Sequence, residues 1–134
     1  MRKGFARDET DAALAQAREL SWIGDRTFAK LWVEDRLLHH PLSRRAIEEE
    51  LRGRKVARDV ALAALDEGYP RERERDIALG LAESRCARLV GLDEATCARR
   101  TTDFLIRRGF TAAIAAECAR RAARRTARGE TDDR

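Results

Sequence analysis

The chain has 134 residues, with 28 Lys and Arg against 24 Asp and Glu, a net charge of +4. Charged residues are 39% of the chain and aromatics only 5%, which argues against one large apolar core and for thin helical layers. No run of about eighteen apolar residues occurs, nor does a signal-type apolar stretch follow Met1-Arg2-Lys3, so a soluble, cytoplasmic protein is expected.

Residues Asp8 to Leu20 read as a helix carrying Ala13, Leu14 and Ala17, after which Trp22 and Ile23 pack and Gly24 breaks the chain. Asp25 is the expected N-cap of a helix to Leu38, with an apolar stripe of Phe28, Leu31 and Trp32 broken by Asp35. Pro41 begins a turn, and Ser43 caps a helix from Arg44 to Arg54 that buries Ala46, Ile47 and Leu51. A short helix from Ala57 to Asp66 turns Val60, Ala64 and Leu65 inward and ends at Gly68-Tyr69-Pro70, where Gly supplies a left-handed residue. The cycle then recurs. A helix from Arg71 to Leu89 buries Ile77, Leu81 and Leu89, with Ala78, Ala82 and Cys86 filling in. Asp93 caps the next, with Ala98, Phe104 and Leu105 apolar; Gly109 turns the chain, and Thr111 caps a last helix with Ile114 and Cys118. From Arg124 onward a polar tail is expected to fray. No strand pattern of alternating β-branched residues occurs.

The recurrence is a repeat. Arg2-Lys3-Gly4-Phe5, Arg54-Lys55-Val56 and Arg107-Arg108-Gly109-Phe110 share a basic, turn-forming, apolar phrase, spaced by 51 (56 − 5) and 54 (110 − 56). Phe28, Ala29, Trp32 and Arg36 match Ile77, Ala78, Leu81 and Arg85 at an offset of 49 (77 − 28). Leu51, Val56 and Val60 match Leu105, Phe110 and Ile114 at an offset of 54 (105 − 51). The expected fold is therefore all-α, tandem three-helix repeats stacked into an elongated, curved right-handed array. Residues 1–20 would be the last helix of a truncated first repeat, 21–68 the second repeat, 69–125 the third and 126–134 a disordered tail.

Little in the chain speaks for chemistry. Cys86, Cys97 and Cys118 form no CxxC pair and sit among apolar residues at helical spacing, as small buried hydrophobes do. His39 and His40 beside Pro41 lack a third ligand at metal spacing. Acidic residues interleave with Arg, and neither a Ser-His-Asp pattern, a Gly-rich phosphate loop nor HExxH is present. No enzyme activity, cofactor or metal is expected. A binding surface is. Its candidates are Arg44, Arg45, Arg52 and Arg54 in one repeat and Arg99, Arg100, Arg107 and Arg108 in the next, forming a basic stripe. Arg36 and Arg85 lie nearer the core face, where an internal pair with a carboxylate is expected, and Phe28, Trp32, Leu51, Phe104 and Phe110 read as core.

The segment Ile23-Gly24-Asp25-Arg26-Thr27-Phe28-Ala29 resembles a hydrophobic-aspartate-phenylalanine segment of the RecX family of RecA regulators. The resemblance continues through Arg36, Leu42-Ser43-Arg44-Arg45-Ala46-Ile47, Glu50-Leu51 and Lys55-Val56, and closes with Phe104-Leu105-Ile106-Arg107-Arg108-Gly109-Phe110. It implies binding in the groove of the RecA–DNA filament and interference with filament growth, strand exchange, ATP hydrolysis and co-protease activity; weak contact with single- or double-stranded DNA and a monomeric state are separate expectations. Family members usually carry a complete first module, whereas this chain starts inside that module's Lys-Gly-Phe turn. Lys55 stands where the resemblance puts Gly, which predicts a left-handed non-glycine costing roughly 1 kcal/mol. The alternative is a direct DNA-binding module, motivated by the basic balance and by helix-turn-helix-like spacing from Arg44 to Leu65. Its recognition helix would be Ala57 to Asp66, Ala-rich and acidic and so ill-suited to base reading.

Overall fold

The computed structural model describes residues 7–129; the side chains of residues 7–11, 14 and 17–22 lie outside that description, as does the phrase Arg2–Phe5. The described residues form six helices: α1 (Arg7–His39), α2 (Arg44–Gly53), α3 (Arg58–Gly68), α4 (Arg71–Arg88), α5 (Glu94–Arg107) and α6 (Ala112–Ala127). Among the described residues there is no strand, and the fold is all-α. The first three helices pack on one another, as do the last three, so two three-helix units follow in tandem. Each unit has its own apolar cluster, and Ile77 packs against both.

The repeat register survives in space. Ala29 and Ala78 are fully buried, Leu51 and Leu105 likewise, and Val56 and Phe110 are each 3% exposed. Three of the expected caps form: the Ser43, Asp93 and Thr111 side-chain oxygens accept from the backbone N–H of Ala46, Thr96 and Ile114. Lys55 is left-handed, at φ 67°. Cys86, Cys97 and Cys118 are all buried in the second unit. Burial pushes the Cys86 thiol up to about 11, against the hydrogen bond with Thr101 at 3.4 Å.

Several expectations are corrected. Gly24 does not break the chain and Asp25 caps nothing, because both lie inside the 33-residue α1. A lone Gly costs a helix only about 1 kcal/mol, and without a following Pro nothing stops propagation. Ile23 is 52% exposed rather than packed. Gly68 stays helical and takes no left-handed conformation; a Cβ there would make only ordinary contact with Val33 Cγ1 at 3.4 Å. In α4 the small residues Ala78, Ala82 and Cys86 are fully buried, while Ile77, Leu81 and Leu89 are only partly so. The facing α6 offers Ala115, Ala119, Ala122 and Ala123, and such a small-residue seam lets two helices approach closely. That burial also carries α6 to Ala127, past Arg124 where fraying is expected. Phe28, Trp32 and Phe104 are not core: Phe28 is exposed, and the other two sit half-buried at the unit edges.

Candidate partner-binding surface

The turn between α5 and α6 docks on the start of α2. Ser43 N donates to Arg108 O at 3.1 Å, and the Arg108 Nη1 donates to Pro41 O at 2.8 Å. Gly109, at φ 99°, allows this closeness; a Cβ there would lie 2.5 Å from Ser43 Oγ and 2.8 Å from Ala46 Cβ. Arg44 adds a second link. It is only 7% exposed, its Nε donates to Tyr69 O at 2.8 Å, its Nη2 pairs with Asp66 at 2.6 Å, and its backbone N–H donates to Glu74. Buried Tyr69 donates in turn to Leu42 O at 2.9 Å. The junction is thus held by hydrogen bonds at its centre and by Ile77 between the two cores.

Arg44 therefore cannot serve in a solvent-facing stripe, a correction to the sequence expectation: its guanidinium is consumed inside the first unit. Arg45 and Arg52 are exposed but pair with Glu49 and Glu48, and Glu48 also takes Arg58. Arg99, Arg100 and Arg107 are exposed and make no salt bridge among the described residues. The stripe recurs in register only in part: Arg45 corresponds to Arg99 (99 − 45 = 54) and Arg54 to Arg108 (108 − 54 = 54), whereas Arg44 corresponds to Ala98 and Arg52 to Ile106.

The in-register pair Arg54 and Arg108 belongs to something more specific. In the first unit Trp32 is flanked by Arg36 and Arg54, whose guanidinium carbons lie 4.8 and 4.4 Å from the ring centre. Glu50 completes this cluster, accepting from Trp32 Nε1 at 2.8 Å and from Arg36 Nε at 2.9 Å. Phe28, 5.5 Å from Trp32, extends it along an open groove that also reaches Lys55. In the second unit Arg85 and Arg108, the counterparts of Arg36 and Arg54, lie 5.0 and 4.8 Å from the centre of Phe104. The aromatic has changed helices: Leu81 stands at the position of Trp32, and Phe104 at the position of Glu50.

That exchange removes the carboxylate. Arg36 makes the internal pair expected of it, but Arg85 does not; its Nε is buried and meets no acceptor. Burial and the neighbouring Arg85 both hold the Arg108 pKa below its ordinary value. Exposed His40 feels both clusters: slight desolvation, then Arg108 and Arg36, lower its pKa, opposed by Glu50. Of the four arginines 36, 54, 85 and 108, only Arg36 has a carboxylate partner among the described residues.

A second basic face lies on α6, where Arg120, Arg121, Arg124, Arg125 and Arg128 are exposed at helical spacing. Of these, Arg125 pairs with Glu83 on α4. The spacing of Arg120, Arg124 and Arg128 in the sequence is the signal that gives this face. Among the described residues no group of three or more His, Cys, Asp or Glu could hold a metal, and no helix is long and apolar enough to cross a membrane.

The comparisons with known proteins fall on this same framework. Residues 25–65 match the family model described as RecX, second three-helix domain. The chain is 36% identical over 114 residues to regulatory protein RecX of Amycolatopsis mediterranei, an alignment covering 85% of this chain and 65% of that protein. It is 35% identical over 120 residues to regulatory protein RecX of Mycobacterium avium, covering 87% of this chain and 67% of the relative. The chain belongs to the RecX family. A Mycobacterium bovis RecX is 32% identical, with 87% of this chain and 68% of the relative covered. The chain thus spans about two thirds of the length of these curated relatives. No solved structure matches it.

Proposed function

We propose that this protein binds the RecA–DNA filament and restrains the recombinase, acting on filament growth, ATP hydrolysis, strand exchange and co-protease activity without chemistry of its own. The supporting observation is RecX membership over 85% or more of the chain, from relatives named as regulatory proteins. The geometry suits the task. Two units joined through Gly109 and through the Arg44 backbone N–H to Glu74 give one body, and several modest contacts on one body add to useful affinity. We place the repeats at 21–68 and 69–125, the protein in the cytoplasm, and the chain as a monomer. Of the basic stripe, Arg45, Arg52, Arg54, Arg99, Arg100, Arg107 and Arg108 remain as contact candidates. The test adds the purified protein to RecA on single-stranded DNA and follows ATP hydrolysis. Slower hydrolysis at sub-stoichiometric to equal amounts is expected, and no change at several-fold excess over filament sites would refute it.

Direct DNA contact is the second reading, favoured by the exposed arginines of α6 rather than by α3, whose Asp59, Asp66 and Glu67 are exposed. Such a face meets phosphates without reading bases. Titration of labelled duplex at several salt concentrations should then give affinity that falls steeply with salt and is indifferent to sequence.

A further inference from the structure

The two arginine–aromatic clusters are one device built twice, with the ring moved to the other helix and the carboxylate lost in the second. Arg36 and Arg85 hold matched positions, as do Arg54 and Arg108, and each pair brackets an aromatic ring at 4.4–5.0 Å. In the first unit Glu50 supplies the anion between ring and guanidinium. In the second, Phe104 occupies that register and can accept nothing, which leaves Arg85 Nε buried without a partner. A buried donor left unpaired is costly, and two adjacent guanidiniums repel.

We propose that Arg85 and Arg108 form a carboxylate-docking site, filled by an acidic side chain of the protein partner. The first unit indicates the chemistry, since a carboxylate occupies the matching place there. A guanidinium edge accepts a carboxylate through two parallel hydrogen bonds, and the Phe104 ring holds the Arg plane in position. Arg85 and Arg108 are each half-buried at the edge of the second core, and turning of the Arg85 side chain would bring its spare donor to an incoming group. Arg108 is fixed from behind by its bond to Pro41 O. One protruding side chain fits such a place. A nucleic-acid backbone calls instead for a row of exposed cations, which α6 carries.

The inference rests on the regulatory reading only for the partner's name, and two measurements keep the two apart. The full chain is labelled with 15N, and the arginine Nε–H signals are followed while acetate, then inorganic phosphate, is added at constant ionic strength. Saturable movement of the Arg85 signal with acetate, larger than with phosphate and without movement of Arg36, is expected. No saturable response to acetate, or a stronger one to phosphate, overturns the proposal. Arg85→Leu should also weaken binding to the RecA filament about tenfold, at an unchanged melting temperature. Full filament affinity in that variant overturns the proposal as well. If the unaltered protein does not bind the filament, the regulatory reading falls, and the acetate titration still decides the site.

Discussion

In the first unit Arg36 and Arg54 flank Trp32 and Glu50 answers their charge; in the second Arg85 and Arg108 flank Phe104 without a carboxylate between them. The turns that follow α2 and α5 differ in the opposite sense. Lys55 and Gly109 are register equivalents with positive φ, but Lys55 is exposed and strained, whereas Gly109 is wedged against Ser43 and Ala46. Strain in the first unit thus sits in its backbone turn, and in the second among its side chains. Duplicated architecture sets which positions are buried and which turns are left-handed. It leaves each copy free to keep or give up an internal charge partner, and the copy that gives one up gains a surface able to bind.

Breaking the wedge should have the largest effect. Gly109→Ala adds a Cβ that would lie 2.5 Å from Ser43 Oγ at a left-handed position, so strain and overpacking together cost about 3 kcal/mol or more. Urea unfolding should show the loss, while Gly91→Ala, left-handed but in open space, should lose only about 1–2 kcal/mol. Arg44→Met comes next. It strips Tyr69 O of its buried donor and should cost about 2 kcal/mol by the same measurement; the exposed Asp66 adds little. Lys55→Gly relieves the turn that lacks a wedge and should stabilise by about 0.5–1 kcal/mol, a rise in melting temperature.

The smallest effect concerns pH. His40 has a lowered native pKa, so the unfolded chain binds its proton more readily. Its contribution therefore falls as pH drops below the ordinary imidazole pKa, and the drop levels off below the native one. In an NMR titration Arg108→Gln should move the His40 midpoint upward, because one of the cations lowering it is gone.

Much of this was legible in the chain itself. Caps at Ser43, Asp93 and Thr111 announce helix starts through local backbone bonding, and the left-handed Lys55 follows from its repeat position. Gly24 misleads because breaking a helix is a competition: one Gly among good helix formers loses it. Trp32 and Phe104 mislead for another reason. Hydrophobicity says that a ring seeks cover, yet a guanidinium stem covers a ring as well as a core does, leaving it at the edge. Arg44 looks like its exposed neighbour Arg45 in sequence; only the return of α3 and Tyr69 onto α2 buries it. The vacant carboxylate place at Phe104 is readable once both offsets, 49 and 54, are applied together, though each offset alone passes over it.

The contrast between the units is tested most directly by paired urea melts of Arg36→Leu and Arg85→Leu. Arg36→Leu takes the partner from Glu50 and should cost about 1 kcal/mol. Arg85→Leu should leave the free protein as stable as before or slightly more so, since it removes an orphaned donor and a like-charge neighbour of Arg108. A loss in Arg85→Leu equal to or greater than that in Arg36→Leu would contradict this, for Arg85 would then already be satisfied within the free chain.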